Sequence, residues 1–380
     1  MANNNKHTGP NVPALRFPEF SGEWEKCSIQ DYGEVVTGNT PPTSHAEYYE
    51  NGSYLWASPA DLGINKNITE TKNKLSLSGF KKTRNIPQGS VLVTCIGSTI
   101  GKMGMATETM SSNQQINSIV VNDKSNSDFV YYAICRAFPR YLSEVGVQAV
   151  PILSKSNFEK LPNYTTCRDE QDKIGYVLNL LDERIATQSK IIEEQETLLK
   201  SLADKLFNTL DTVTKLHLGD ISELYQPKTI PLSNLSSKGY PVYGANGIIG
   251  SYKNFNHITE QICIACRGSS CGSVNYTVPK AWITGNAMVV NTDNYSNIID
   301  KRYLYYYLRR INYSSLISGS GQPQIVRAPL ANLLIPVPTL EKQKHVVLIL
   351  ETVAKILGTN KIILQHYKNQ KAYLLSRMFI

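Results

Sequence analysis

Hydrophobic residues recur in two long stretches of the chain with the alternating four-three spacing of a coiled-coil seam. The first stretch predicts a helix over about residues 166–210, and the second predicts a matching helix at the C-terminal end. Polar amides stand in both seams, Gln188 and Gln195 in the first and Asn360 in the second, where they cost stability and fix register. The predicted seam residues are Ile174, Leu178, Leu181, Ile185, Gln188, Ile192, Leu199, Leu202, Leu206, Val346, Leu350, Val353, Leu357, Asn360, Leu364, Leu374 and Met378.

The two helices are copies of each other at a shift of 172 residues, which aligns Gln171 with Gln343 and Phe207 with Phe379. A helix of this length would extend about 60 Å. Residues 166–210 carry six Lys and Arg against nine Asp and Glu, whereas residues 338–380 carry seven against two, so opposite charges favour pairing of the helices. Because the second copy begins where the first helix ends, the helices should run antiparallel. The alternative is that each helix packs only on its own domain.

The segments outside the helices repeat as well, since residues 95–101 align with residues 266–272 at a shift of 171. Short β-rich segments alternate with Gly, Asn and Ser turns and with short helices. We therefore predict an α+β protein with two similar globular domains, separated by two long antiparallel helices that form a coiled coil, with internal pseudo-two-fold symmetry. The predicted boundaries are 1–165 for the first domain, 166–212 for the first helix, 213–336 for the second domain and 337–380 for the second helix.

Composition narrows the function classes only slightly. The 380 residues suffice for two domains with separate cores, and no apolar run is long enough to cross a membrane. Seven scattered cysteines favour reduced thiols, and we expect a cytoplasmic protein. The net charge of +8, together with 22 tyrosines, suits a nucleic-acid surface, although a solvated basic face accounts for the charge almost equally well.

Motifs that carry chemistry are weak. Cys263 and Cys266, with Cys271 nearby, have a spacing that can hold zinc, but the repeat aligns them with strand positions of the first copy, so we expect no metal site. The segment from Gly97 to Lys102 has too few residues between its glycines for a nucleotide-binding loop. It is either a simple tight turn or a loop whose lysine faces a nucleic-acid phosphate. We find no catalytic motif and expect no catalytic residue.

Several segments carry a family resemblance: residues 13–20 (PALRFPEF), residues 243–250 (YGANGIIG), the two Gly-Ser turn blocks, and Glu170-Gln171 at the start of the first helix. In their order along the repeat, they resemble the specificity subunit of type I restriction-modification systems. The sequence departs from the family at Glu341-Lys342-Gln343, and Lys371 interrupts the second seam. The interruption leaves either a looser far end of the coiled coil or a lysine that faces a partner.

The resemblance implies that two target recognition domains each read one half of a bipartite site in double-stranded DNA, while the coiled coil sets the spacer. It also implies no enzyme activity or cofactor in this chain. Two methyltransferase (modification) subunits that bind S-adenosylmethionine and two ATP-dependent restriction (translocase and nuclease) subunits would be its partners, in a bacterial cytoplasm. The alternatives are a coiled-coil adaptor that does not bind DNA and a self-sufficient DNA methyltransferase or nuclease, for which the usual motifs are missing.

Side chains that can bond base edges or phosphates lie in predicted loops of both domains. For each of them, an ordinary solvated loop residue is an equally good reading. Because the two domains differ most in these loops, we expect unlike half-sites. The DNA-binding candidates are Lys81, Lys82, Arg84, Ser98, Lys102, Asn113, Gln114 and Gln115 in the first domain, and Tyr243, Asn246, Lys253, Arg267, Ser269, Gln322 and Gln324 in the second.

Overall fold

The computed structural model describes residues 11–144, 152–210, 213–319 and 321–380. The chain divides into two units, one built from residues up to Lys190 together with Ile362–Ile380, and the other from Ile191–Lys361. The predicted domain limits at residues 1 and 212 lie outside the described residues. No helix within the described ranges is long and apolar enough to cross a membrane.

The first unit contains a β-rich domain and the adjoining parts of both long helices. Its own helices are α1 (Ile29–Tyr32), α2 (Leu77–Phe80), α3 (Ser127–Glu144) and α4 (Lys155–Glu159), followed by α5 (Arg168–Asn208), which continues into the second unit. Its strands are β1 (Glu25–Ser28), β2 (Gly33–Thr37), β3 (Tyr54–Ala57), β4 (Asn67–Ile68), β5 (Asn73–Leu75), β6 (Asn85–Ile86), β7 (Val91–Thr94), β8 (Met103–Ala106), β9 (Met110–Ser112), β10 (Ile116–Val121) and β11 (Pro162–Thr165).

The sheets of the first unit have the orders β2-β10-β7-β8-β4, β5-β3-β9-β6 and β1-β11. Strand β7 is buried along its whole length because both of its faces are covered. Val91 and Val93 pack in one core cluster with α3, and Leu92 packs in the cluster on the opposite face. This explains why the strand reads as a continuous apolar run and not as an alternating one.

The second unit repeats this arrangement with fewer strands. Its sheets have the orders β13-β19-β16-β17, β15-β14-β18 and β12-β20. Its helices are α6 (Lys301–Arg310), α7 (Arg327–Ala331) and α8 (Leu340–Met378), the last of which ends in the first unit. Its strands are β12 (Lys215–His217), β13 (Glu223–Tyr225), β14 (Tyr240–Gly244), β15 (Gly247–Tyr252), β16 (Ile262–Ala265), β17 (Val274–Tyr276), β18 (Trp282–Ile283), β19 (Ala287–Asn291) and β20 (Leu334–Pro336).

Equivalent strands of the two units pair in the same way. Strand β7 lies between β10 and β8, as β16 lies between β19 and β17, with antiparallel pairing throughout. Each unit also has a parallel pair at the corresponding place, β3 with β9 and β14 with β18, and the first unit has a second parallel pair, β4 with β8. The prediction of two similar α+β domains is therefore confirmed.

Helices α5 and α8 pack against each other in an antiparallel coiled coil within each unit. All of the predicted seam residues are buried or half-buried. In the second unit the Asn360 amide donates a hydrogen bond to the Gln195 side-chain oxygen at 3.0 Å, so a seam amide of one helix meets a seam amide of the other. Such a pair satisfies polar groups that would otherwise be costly at a buried seam.

Charge complementarity between the helices takes the form of specific ion pairs. Lys361 lies 2.5 Å from Glu196 in the second unit, and Lys371 lies 2.5 Å from Asp182 in the first. In both pairs the cation comes from α8 and the anion from α5, as the charge balance of the helices predicts. Lys371 therefore has its partner within this chain, and the interruption of the seam is explained without an external one.

Each long helix is tied to its own domain by a glutamine near its first turn. The Gln171 side-chain oxygen accepts from the backbone N–H of Asn126 at 2.9 Å, and the Gln343 oxygen accepts from that of Asp300 at 2.7 Å. Both glutamines are almost completely buried. In the first unit, the guanidinium of Arg16 adds two bonds of 2.7 Å to the carboxylate of Glu170. Near the start of α8 the position equivalent to Glu170 is Lys342, which is exposed.

Candidate nucleic-acid interface

The same Gly-Ser turn follows the central strand of each unit. Gly97 and Gly101 have φ of 96° and 89°, and Gly268 and Gly272 have φ of 80° and 92°, a region that L side chains adopt rarely. The backbone N–H of Gly101 donates to Thr94 at 2.9 Å, just as that of Gly272 donates to the carbonyl oxygen at the end of β16 at 2.8 Å. The aligned sequence blocks therefore form one repeated structure.

The two glycines of each turn have different surroundings. A Cβ on Gly101 would lie 2.7 Å from the Phe138 ring, and one on Gly272 would lie 3.0 Å from Tyr313, so the second glycine is needed for packing against the domain. A Cβ on Gly268 would meet nothing within 4 Å, and one on Gly97 would meet only a side-chain nitrogen at 3.5 Å. The first glycine thus leaves an open backbone that another molecule can approach closely.

The chain around both turns is rich in cations and poor in anions. Residues 71–107 contain six Lys and Arg and no Asp or Glu. Residues 224–340 contain ten Lys and Arg against three Asp and Glu, and one of those acids, Asp293, is paired with Lys301 at 2.5 Å. The net charge of the whole chain hides this asymmetry, since the acids concentrate in α5. A run without acidic residues is a sequence signal that could have located the interface.

Most candidates of the first domain lie at its surface. The loop after β2 connects two of the candidate segments, because Thr40 donates to the Gln114 side chain at 2.5 Å and Asn39 accepts from the backbone N–H of Arg84 at 2.7 Å. Thr40 and Asn39 are positioning residues that the sequence did not reveal. The exposed candidates are Lys81, Lys82, Arg84, Ser98, Lys102 and Gln114.

Asn113 is a correction to the predicted set. Its side chain is buried, donates to the Gln115 side-chain oxygen at 3.1 Å and accepts from the Gln115 backbone N–H at 3.0 Å. Gln115 itself is half-buried and contacts the Ile96 carbonyl at 3.4 Å. These two residues hold the loop in shape, so we do not retain Asn113 as a DNA contact.

In the second domain, the correction is Tyr243. Its ring is 6% exposed and belongs to the core cluster around β16, and its hydroxyl accepts from the backbone N–H of Val278 at 3.2 Å. Val242 and Tyr243 are both buried, so this part of β14 is covered on both faces, which the glycine-rich sequence around it does not show. The other candidates, Asn246, Lys253, Arg267, Ser269, Gln322 and Gln324, are exposed.

The cysteine motif lies inside the second domain. Cys263 is in the middle of β16 and Cys266 follows the strand, and both side chains are fully buried. Burial raises the pKa of Cys263 to about 12, so that the thiol stays protonated at neutral pH. Because metals bind thiolates, this environment favours the reading of these residues as core positions.

A profile described as the type I restriction modification DNA specificity domain matches twice, over residues 21–197 and 211–366. The chain belongs to this specificity family. The two matches coincide with the two copies of the repeat, one domain and one long helix in each.

Individual members of the specificity family are distant in sequence. The EcoprrI specificity subunit of Escherichia coli is 24% identical over 354 residues, which cover 87% of each chain. The HindI specificity subunit of Haemophilus influenzae is 30% identical over 151 residues, which span 38% of this chain and 32% of that subunit. The second of these relatives is therefore matched along only part of its length.

Solved structures show the same fold over nearly the whole chain. An S subunit from M. genitalium superposes with a TM-score of 0.69 at 19% identity, covering 97% of this chain and 99% of that one. A chain from a study of the assembly and conformational transition of a type I restriction-modification system superposes with a TM-score of 0.56 at 14% identity, covering 94% and 97%. At these identities the likeness concerns the fold.

Proposed function

We propose that this chain is the DNA-reading subunit of a type I restriction-modification complex. Each β-rich unit would read one half of a bipartite site in double-stranded DNA, and the coiled coil would set the spacer between the halves. The observation that carries the proposal is the exposed glycine turn, which occurs once in each described unit within a stretch of chain that is nearly free of acids.

The exposed side chains supply both parts of DNA recognition. Lys81, Lys82 and Arg84 follow one another at the end of α2 and can neutralise neighbouring phosphates, which gives affinity. Gln114 in the first domain and Arg267 in the second are exposed and can bond base edges, which gives specificity. An adaptor that does not bind DNA would need neither the cations nor the base-bonding side chains.

The proposed partners are two methyltransferase subunits that bind S-adenosylmethionine and two restriction subunits that use ATP. This chain would have no enzyme activity and no cofactor of its own, and it would hold the methyltransferase subunits through the coiled coil. Membership of the specificity family supports this division of labour. Such a complex would act on genomic DNA in the bacterial cytoplasm.

Binding to DNA and dependence on a partner can be tested together. The chain, alone and with its methyltransferase, is titrated with duplex DNA at several salt concentrations, and transfer of labelled methyl groups is measured. We expect affinity to fall steeply with salt, and methylation to occur only with the partner. Methyl transfer by the isolated chain would favour the self-sufficient enzyme. A DNA affinity that does not change with salt concentration would favour the adaptor.

A triple variant, K81A/K82A/R84A, identifies the phosphate contacts. It should reduce the slope of log affinity against log salt by up to about 3, since each lost contact contributes about 0.9. The matched control removes three exposed lysines from α5, Lys190, Lys200 and Lys205, at the same cost in charge. An equal reduction in the control would show that only overall charge matters and would remove these three residues from the interface.

A further inference from the structure

In each unit, the residue directly before the glycine turn forms an antiparallel β-bridge with a residue of a later segment. Ile96 is the antiparallel partner of Ile152 in the first unit, and Arg267 is the partner of Gln324 in the second. The backbone contacts beside the two bridges also correspond, since Leu153 donates to the Cys95 carbonyl at 2.8 Å and Ile325 donates to that of Cys266 at 3.1 Å. The two bridges are therefore the same structural position filled by different residues.

The side chains at these bridges face away from the core. Their neighbours Cys95 and Leu153 are buried, with 2% and 3% exposure, and successive residues in extended chain point to opposite sides. Ile152 is 53% exposed, Ile96 is half-buried, and both Arg267 and Gln324 are exposed. Within the described part of the chain, the side chains of Arg267 and Gln324 make no hydrogen bond or salt bridge.

The side chains of the two pairs suit different bases. Arginine bonds O6 and N7 of guanine with two donors, and glutamine bonds N6 and N7 of adenine. An isoleucine pair has no such groups but can pack on the methyl group of thymine. The adjacent Gly97 and Gly268, with space at their Cβ positions, allow a DNA backbone to come close enough for these side chains to reach a groove.

We propose that the bridged pair is a base-reading position in each unit. Ile96 and Ile152 select the thymine of a base pair in one half-site, and Arg267 and Gln324 select guanine or adenine in the other. This inference rests on the proposed function, because it assigns bases to the DNA that the two units would read. It also gives a structural reason for unlike half-sites at one equivalent position.

The experiment uses the complex with its methyltransferase and a DNA library randomised around the site. Methylated adenines are mapped by single-molecule sequencing for the native chain and for R267A/Q324A. We expect one or two positions of a single half-site to lose their base preference, with discrimination falling about 5- to 150-fold. The other half-site stays unchanged. Lys253→Ala, an exposed cation of the same unit, is the control and should weaken binding to all sequences alike.

Exchange of the pairs gives the complementary result. The variant I96R/I152Q should replace a preference for thymine in the first unit's half-site by one for guanine or adenine. Because these side chains face away from the core, R267A/Q324A and I96R/I152Q should both keep the native melting temperature. A variant that does not is replaced by I152A, which should lose the thymine preference.

The outcomes separate this inference from the proposed function. A native complex that methylates no bipartite motif would contradict DNA reading itself. A native motif that R267A/Q324A leaves with full discrimination would overturn the role of the pair and leave DNA reading intact. Loss of preference in both half-sites, or a first half-site whose base preference I96R/I152Q leaves unchanged, would also overturn it.

Discussion

Gln171 and Gln343 show how single residues maintain the repeat. Each is buried at the start of a long helix, accepts from the backbone of its own domain and donates to the chain before the helix, to Thr166 at 2.7 Å and to Pro338 at 2.8 Å. A buried amide with both ends bonded is costly to replace, because any other side chain leaves backbone groups unsatisfied. These two glutamines therefore hold the fold together and take no part in the proposed base contacts.

The ion pair between Arg16 and Glu170 is buried, with side-chain exposures of only 3% and 0%. Replacement of Arg16 with alanine (R16A) therefore leaves a buried carboxylate without its charged partner. We expect the free energy of unfolding to fall by about 3–5 kcal/mol in chemical denaturation. The double variant R16M/E170M should recover much of that loss, because it removes both charges.

The exposed pair between Lys173 and Glu19 is the control for Arg16. Its side chains are 46% and 42% exposed, and K173A should change stability by less than about 1 kcal/mol. Equal losses for R16A and K173A would show that burial does not distinguish the two ion pairs.

The coiled coil is the element that both units share. Its seam is apolar at most positions, with an amide pair at Gln195 and Asn360 and flanking ion pairs such as Lys361 with Glu196, whose side chains are both 52% exposed. Exposed ion pairs contribute little to stability, so the apolar seam holds the helices together, while the polar pairs select one register and direction. The helices differ in charge, which makes pairing of α5 with α8 better than pairing of either with a copy of itself.

Replacing Leu181 and Ile185 with aspartate tests the seam. Leu181 is 7% exposed and packs with Ile174 and Leu178 in the core of the first unit, so a charge there should cost at least the 2–5 kcal/mol that a cavity costs. We expect a lower unfolding midpoint and loss of the methyltransferase complex on a sizing column. Aspartates at the exposed Thr187 and Lys190 of the same helix should leave the midpoint within about 0.5 kcal/mol. Complex assembly unaffected by the seam variant would argue against the coiled coil as the scaffold.

Charge is distributed unevenly over the whole molecule. The acids concentrate in α5, whereas residues 224–340 have ten cations and three anions. Each unit folds around its own central strand and has its own core clusters. Independent cores and equivalent turns mean that the surface of one unit can change without changing the other.

Exchange of the first domain tests this independence. Residues 1–165 are replaced by those of a relative with a known motif, and methylated adenines in the host genome are mapped by single-molecule sequencing. We expect one half of the bipartite motif to change and the other half and the spacer to remain. A change in both halves would refute two independent readers.

The repeat, the two long helices and the glycine turns can be predicted from residue order alone. A seam of period 3.5 is a local pattern, and its agreement at a shift of 172 residues needs no coordinates. The positive φ of Gly97 and Gly268 likewise follows from local backbone geometry. Such features depend on neighbours in the chain and can be predicted from residue order.

Which candidate side chains reach the surface depends on tertiary packing. Tyr243 and Asn113 look like loop residues in the sequence, yet Tyr243 lies in a core cluster and Asn113 is buried with a hydrogen bond to the Gln115 side chain. The pairing of Arg267 with Gln324 joins segments 57 residues apart, and no local pattern records it. Burial and long-range strand pairing depend on how the whole domain packs, so residue order alone does not show which face of a strand meets the core.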